Sequence, residues 1–267
     1  MTYYIPKKLL TTENAKTKKG EARAYTTYIM YLAPAKQNDF KVNLCTHASK
    51  GCEQACLFNS GSARFSPVQL GKINKSNYLI ANQEKFMSQL YNQIDSIVRL
   101  HNKVKGNKQV GKTGKVIRYK KFAIRLNGSS DILWERIKVK DNKNIFELFP
   151  DVQFYDYTKV DRRLLMKQPK NYHLTFSMHE ENKDEAFKLL KNGFNVAIVF
   201  GVTKKQELPK EYLGYEIVDG DKDDLRFLDG KNKIVGLRYK NVVSKGNSHV
   251  NKKKFDTGFV IDVSNIK

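Results

Sequence analysis

From residue 121 onward the chain alternates short apolar runs with short amphipathic ones, and this alternation restricts the fold more than any other feature. KFAIRLNG (121–128), VQFYDYT (152–158), YHLTFSM (172–178) and FNVAIVF (194–200) read as strands. Between them NIFELFP (144–150), DRRLLMK (161–167) and NKDEAFKLLKNG (182–193) read as helices, stopped by Pro150 in the first and Gly193 in the last. Further strands are predicted at 215–221, 233–240 and 257–263. Strands separated by helices pair in parallel through right-handed crossovers, and a strand as apolar as 194–200 suits a sheet covered on both faces. Upstream, YTTYIMYLAPA (25–35) reads as a strand, and apolar residues from 79 to 98 recur at helical spacing within 76–104. The expectation is one α/β domain over 25–267, a partial or distorted (β/α) barrel of mostly parallel strands. Residues 1–24 are expected to form a flexible basic arm, and a cysteine loop to span 44–64.

Parallel sheets and barrels place their ligand sites at the carboxyl ends of the strands. The residues found there are Asn127, Ser130 and Asp131, then Tyr157 and Lys159, then Ser177, His179, Glu180 and Glu181, then Gly201 and Thr203, then the acidic run Asp219 to Asp229 that contains Asp224, and then Lys240. Asp131 is a candidate catalytic carboxylate or ribose ligand, and it equally suits a helix N-cap. Asn127, Ser130 and Arg125 are candidate cofactor contacts, Arg125 because a guanidinium forks onto carboxylate or phosphate. Tyr157, Lys159 and Asp224 complete the candidate catalytic set, with a solvated lysine as the plain alternative for Lys159. The acidic run has the carboxylates to hold Mg²⁺ and also the neighbours, Arg226 and Arg238, to pair with instead.

The three cysteines of the chain stand together at 45, 52 and 56, spaced C-x6-C-x3-C. In a reducing compartment such a cluster points to metal or redox chemistry rather than to a disulfide. Three thiolates can hold a four-iron, four-sulfur (4Fe-4S) cluster with one iron left open. With His47 they make a Cys3His zinc set. Three ordinary, partly buried thiols are the remaining alternative. The histidines form no metal pair of established spacing, GKTGK (111–115) lacks the upstream glycine of a phosphate loop, and Trp134 reads as core.

The stretches LCTHASKGCEQACLFNSGSAR (44–64), FAIRLNGSSDILWE, FYDYTK, GFNVAIVF and VDGDKDDLRFLD occur in the order in which similar motifs occur in a phage family, the gene product 88 domain. The chain resembles that family over roughly 40–240, which implies a phage or prophage origin. A weaker resemblance links it to radical S-adenosylmethionine enzymes, which carry a three-cysteine loop after the first strand of a partial barrel. This resemblance implies a 4Fe-4S cluster on Cys45, Cys52 and Cys56, S-adenosylmethionine on its open iron, and a glycine turn at Gly61 near the methionine moiety. The usual spacing in that superfamily is C-x3-C-x2-C, and both gaps are wider here.

Lysine and arginine outnumber acidic residues, 49 to 27, for a net charge of +22. Such a balance favours a polyanionic partner, a nucleotide or nucleic acid, although an AT-rich coding bias also enriches lysine. The basic runs 103–121 and 251–255 read as exposed loops that can touch phosphates. No apolar run is long enough for a membrane span and the first residues lack the apolar core of a secretory signal, so the expected location is the cytoplasm, that of the host if phage-encoded. Nothing in the sequence fixes an oligomeric state. The alternative function is a zinc- or Mg-dependent DNA-binding replication protein of the initiator or nicking type.

Overall fold

A computed structural model describes residues 3–12, 18–240 and 256–266. The basic run 251–255 lies outside the described residues. In chain order the strands are β1 (Leu10–Thr11), β2 (Tyr25–Met30), β3 (Lys108–Val110), β4 (Val116–Tyr119), β5 (Lys121–Arg125), β6 (Lys138–Lys140) and β7 (Lys143–Asn144). They continue as β8 (Gln153–Thr158), β9 (Tyr172–Ser177), β10 (Val196–Phe200), β11 (Glu211–Tyr212), β12 (Tyr215–Asp219), β13 (Ile234–Arg238) and β14 (Val260–Ile261).

Ten of these strands form one sheet, in the order β1-β2-β5-β8-β9-β10-β13-β12-β11, with β14 added on β10. From β2 to β12 every pairing is parallel, and only the short end strands β1 and β11 run antiparallel. The parallel α/β expectation holds. Among the described residues the strand path runs from β1 to β11 without returning on itself, so the sheet is open where a barrel would close. β9 pairs with Val196 and Ala197 at the start of β10, whereas β14 pairs with Val199 and Phe200 at its end. β9 ends at Ser177, and the chain beyond it turns toward the cysteine segment.

The two faces of the sheet differ because side chains alternate along each strand. One face presents Ile124, Phe154, Leu174, Phe176, Val196, Ile198 and Phe200, all buried in the main apolar cluster. The helix Gln83–Asn102 covers part of it with Phe86, Met87, Leu90, Ile94 and Ile97, whose spacing makes one stripe. The helix Lys183–Lys191 adds Ala186, Leu189 and Leu190 and ends just before Gly193, whose φ is +85°. Burying each large side chain here stabilises the fold by roughly 1.5–3 kcal/mol. The expected helix over 76–104 is instead two, Ser66–Ala81 and Gln83–Asn102. They break at Asn82, whose side chain accepts a hydrogen bond from Lys85 N at 3.0 Å.

The opposite face is covered by a loop. After β12 the chain crosses back so that Leu225 packs on Ala123 and Tyr155, with Phe227 against the rings of Tyr25 and Tyr155. Within the expected N-terminal arm, Leu9 and Leu10 are buried, β1 pairs with β2, and Lys19–Arg23 forms a 3-10 turn whose Lys19 ammonium donates to the Asp221 carbonyl. The basic run 103–121 contains the hairpin β3–β4, which a plain loop reading misses.

Candidate functional site

The cysteine segment leaves the tip of β2 and is held over the tips of β5, β8 and β9. The Cys45 thiol donates to the Ser129 carbonyl at 3.6 Å. The short helix Lys50–Gln54 starts at Ser49, whose hydroxyl accepts from Cys52 N at 3.2 Å. Glu180, just past β9, accepts from both Ser49 Oγ at 2.7 Å and Gly51 N at 2.6 Å. A Cβ on Gly51 would stand 2.5 Å from Thr257 Oγ1 and 2.6 Å from Phe259 Cβ, so only glycine fits between the helix and the chain entering β14.

Cys52 hydrogen-bonds to Lys159 at the tip of β8, and Cys45 and Cys56 lie within reach of its charge. Burial pulls the Lys159 ammonium's pKa down, but the charges of Cys52, Asp131 and Cys45, together with a hydrogen bond to Cys52, outweigh it and leave the pKa raised. Burial pushes the Cys45 thiol up to about 11 against the pull of a backbone hydrogen bond and of Lys159. Burial likewise raises Cys56, opposed by Lys159 and Lys72. Lys72 is almost fully buried with its ammonium over the rings of Phe58, 5.0 Å, and Tyr31, 5.7 Å. Desolvation lowers its pKa, and desolvation plus the Lys72 charge lower that of Lys75 to about 8.

The donor set at this mouth is soft and suits iron or zinc. Its arrangement is that of thiols within reach of one ammonium's charge: among the described residues no three His, Cys, Asp or Glu side chains form a group that could hold a metal ion. His47 is exposed, its Nδ1 3.0 Å from Thr46 Oγ1, and the Cys3His zinc set is not assembled.

Other sequence candidates occupy positions that fold the mouth. Asn127 Oδ1 accepts from Ser130 Oγ, Ile132 N and Trp134 Nε1 at 2.9, 3.0 and 3.0 Å, so Asn127 and Ser130 are engaged in shaping one turn. That turn presses Gly128 against β2, where a Cβ would meet Met30 O at 2.5 Å. Asp131 is not an N-cap. Its carboxylate accepts from Lys159 N at 2.7 Å and from Arg163 Nη1 at 2.9 Å, tying the tip of β8 to the helix Asp161–Leu165. Arg163 also forks onto Glu135, with bonds of 2.8 Å from Nε and Nη2, and donates to Tyr172 OH. Gly61 is exposed, at φ +51° and with open space around it.

Arg125, Tyr157 and Asp224 meet on the loop-covered face, one step below Lys159. Arg125 Nη1 reaches Asp224 at 3.0 and 3.2 Å, Tyr155 OH donates to the same carboxylate at 3.1 Å, and the guanidinium lies 4.6 Å from the Tyr157 ring centre. Burial and the charge of Asp224 push both tyrosines' pKa up. The rest of the acidic run pairs with arginines: Asp223 and Asp229 with Arg226, Asp219 and Asp221 with Arg238. These carboxylates are structural partners rather than an assembled Mg²⁺ site. Among the described residues, six polar atoms around them are buried without a hydrogen-bond partner: Arg125 Nε, Arg226 Nε and Nη1, Asp229 Oδ2, His173 Nε2 and Thr175 Oγ1.

Sequence reasoning missed Lys72, Lys75, Tyr155 and Arg163, and it named Glu180 without its hold on Ser49 and Gly51. Glu180 sat at a strand tip, the one signal available for it; the two lysines, three apart on one helix, carried none. No helix of the described residues is long and apolar enough to cross a membrane. No curated protein and no solved structure matches the chain. A family model described as gene product 88 matches residues 7–262.

Proposed function

The chain belongs to the gene product 88 family of phage proteins, and we propose that it is an iron–sulfur enzyme of the radical S-adenosylmethionine kind acting on a nucleotide or nucleic acid. One observation supports this reading: the only three cysteines of the chain all lie within reach of the charge of one ammonium, Lys159, at the tips of parallel strands. The charge balance supports it. The nearby carboxylates Asp131 and Glu180 already serve Arg163, the Lys159 amide, Ser49 and Gly51. Lys72 and Lys159 are thus desolvated cations that face thiols and call for an anion, which three thiolates on one cluster provide.

A cluster bound by three thiolates would offer an open iron and the electron for reductive cleavage of S-adenosylmethionine. The chain's own residues prepare the place. Ligation requires the thiol protons to leave, which the raised pKa of Cys45 and Cys56 makes steeply pH-dependent. Lys159 would supply a countercharge to the ligating thiolates. The Arg125–Asp224 pair and Leu225 close the floor beneath the mouth and exclude water.

The test is protein purified without oxygen, reduced and mixed with S-adenosylmethionine. Brown protein that releases 5'-deoxyadenosine and methionine is the expected result. Cluster-loaded protein that leaves S-adenosylmethionine intact contradicts the reading.

A further inference from the structure

Beside the thiol mouth lies a cleft of about 760 Å³. Its walls come from the chain segments that build the mouth. His47 follows Cys45 by two residues, Leu133 and Glu135 follow Asp131, and Val160 follows Lys159. Its charges are unbalanced. Glu135 is taken by Arg163 and Glu147 by the Asn144 amide and Lys138, which leaves Asp161 as the carboxylate of the cleft with no ion-pair partner among the described residues. Arg136, Arg162 and Lys167 line the same cleft, are exposed, and have no carboxylate partner among the described residues. Leu165 and Met166 stand between Arg162 and Lys167, 60% and 57% exposed, apolar surface at the rim of a cationic groove.

We propose that this cleft binds a single nucleic-acid strand, with Arg136, Arg162 and Lys167 on successive phosphates and Met166 against a base, and so leads the strand to the thiol mouth. A base laid against Met166 must be unpaired and unstacked, which a single strand offers and a duplex does not. A mononucleotide satisfies fewer of the three cations, and the net charge of +22 favours a polymer. The inference deepens the proposed function by naming the substrate class and its entry.

A short fluorescent single-stranded oligonucleotide, titrated by anisotropy over a range of salt concentrations, tests it. The triple variant Arg136→Glu, Arg162→Glu, Lys167→Glu is compared with Lys204→Glu, Lys205→Glu, Lys210→Glu, which makes the same charge change at exposed lysines on another loop. The cleft variant is expected to bind at least about tenfold more weakly and to lose about 2 from the salt slope, three contacts at ~0.7 each. The control is expected to keep wild-type slope and most of its affinity. Equal loss in both variants, or no binding by the wild type, overturns the proposal. Displacement by ATP as effective as by unlabelled oligonucleotide overturns it in favour of a nucleotide site. The assay needs no iron, so cleft-dependent binding by a protein that takes up no cluster upholds this inference while sinking the enzymatic reading.

Discussion

The two faces of the parallel sheet bury side chains by different rules. On the helix-covered face Phe154, Phe176, Ile198 and Phe200 are packed among helix side chains and are wholly buried. On the loop-covered face the equally buried Arg125, Tyr155, Thr175 and Arg226 are held by ion pairs and hydrogen bonds, and some of their polar atoms are unpartnered. The first face gains stability from apolar area. The second spends charges and leaves hydrogen-bonding capacity unused, which a fold selected for stability alone would replace with apolar packing. The thiol mouth opens on the second face, so the buried charges gather on the side that holds the candidate site.

The largest effect separating the faces is expected from Phe154→Ala, which removes a ring 5.0 Å from that of Phe146. It should cost about 3–5 kcal/mol in denaturant unfolding, and no second substitution at a neighbouring polar site should restore it. Asp224→Ala should cost a similar or slightly smaller amount, on the order of 3–4 kcal/mol, because it strands the Arg125 charge. Here the partner change does restore stability in part: Arg125→Met with Asp224→Leu should recover about 1–2 kcal/mol over Asp224→Ala, the rest staying lost with the unpartnered Tyr155 hydroxyl. If the double variant is no better than Asp224→Ala, the loop-covered face is packed like the other and the comparison fails.

A pH dependence sharpens the contrast. Burial, then the charge of Arg226, pushes His173 down to about 4 from the usual 6.5. Between those values the unfolded chain binds a proton that the folded one refuses, so stability is full above pH 6.5 and falls as pH drops toward 4. Over that window wild type should lose roughly 2–3 kcal/mol more than His173→Gln, read from urea titrations at the two ends. Parallel curves for the two proteins would mean that His173 is solvated. The smallest effect belongs to the helix-covered side. There Asn144 and Glu147 close a capping box on Ile145–Leu148, and Asn144→Ala should cost about 1 kcal/mol with no change at the thiol mouth.

Local pattern carried much of the fold. The apolar run at β10, the alternation at β8 and β9 and the glycine after Lys183–Lys191 each specify their element within a few residues. The helix break at Asn82 was hidden because apolar spacing continues through it, and the hairpin β3–β4 because its residues are mostly polar and exposed. At the site, clustering of the cysteines was legible from spacing alone. The partners of Asp131 and Asp224 were not, since Arg163 and Arg125 lie 32 and 99 residues away and only the sheet brings them close.

The central claim is that Cys45, Cys52 and Cys56 serve one inorganic centre. Iron and acid-labile sulfide, quantified on protein made without oxygen, test it most directly against the variant with all three cysteines changed to serine. The account predicts about four of each per chain in the wild type and neither in the variant. Wild-type protein free of iron and sulfide, or a triple variant that retains them, would contradict it.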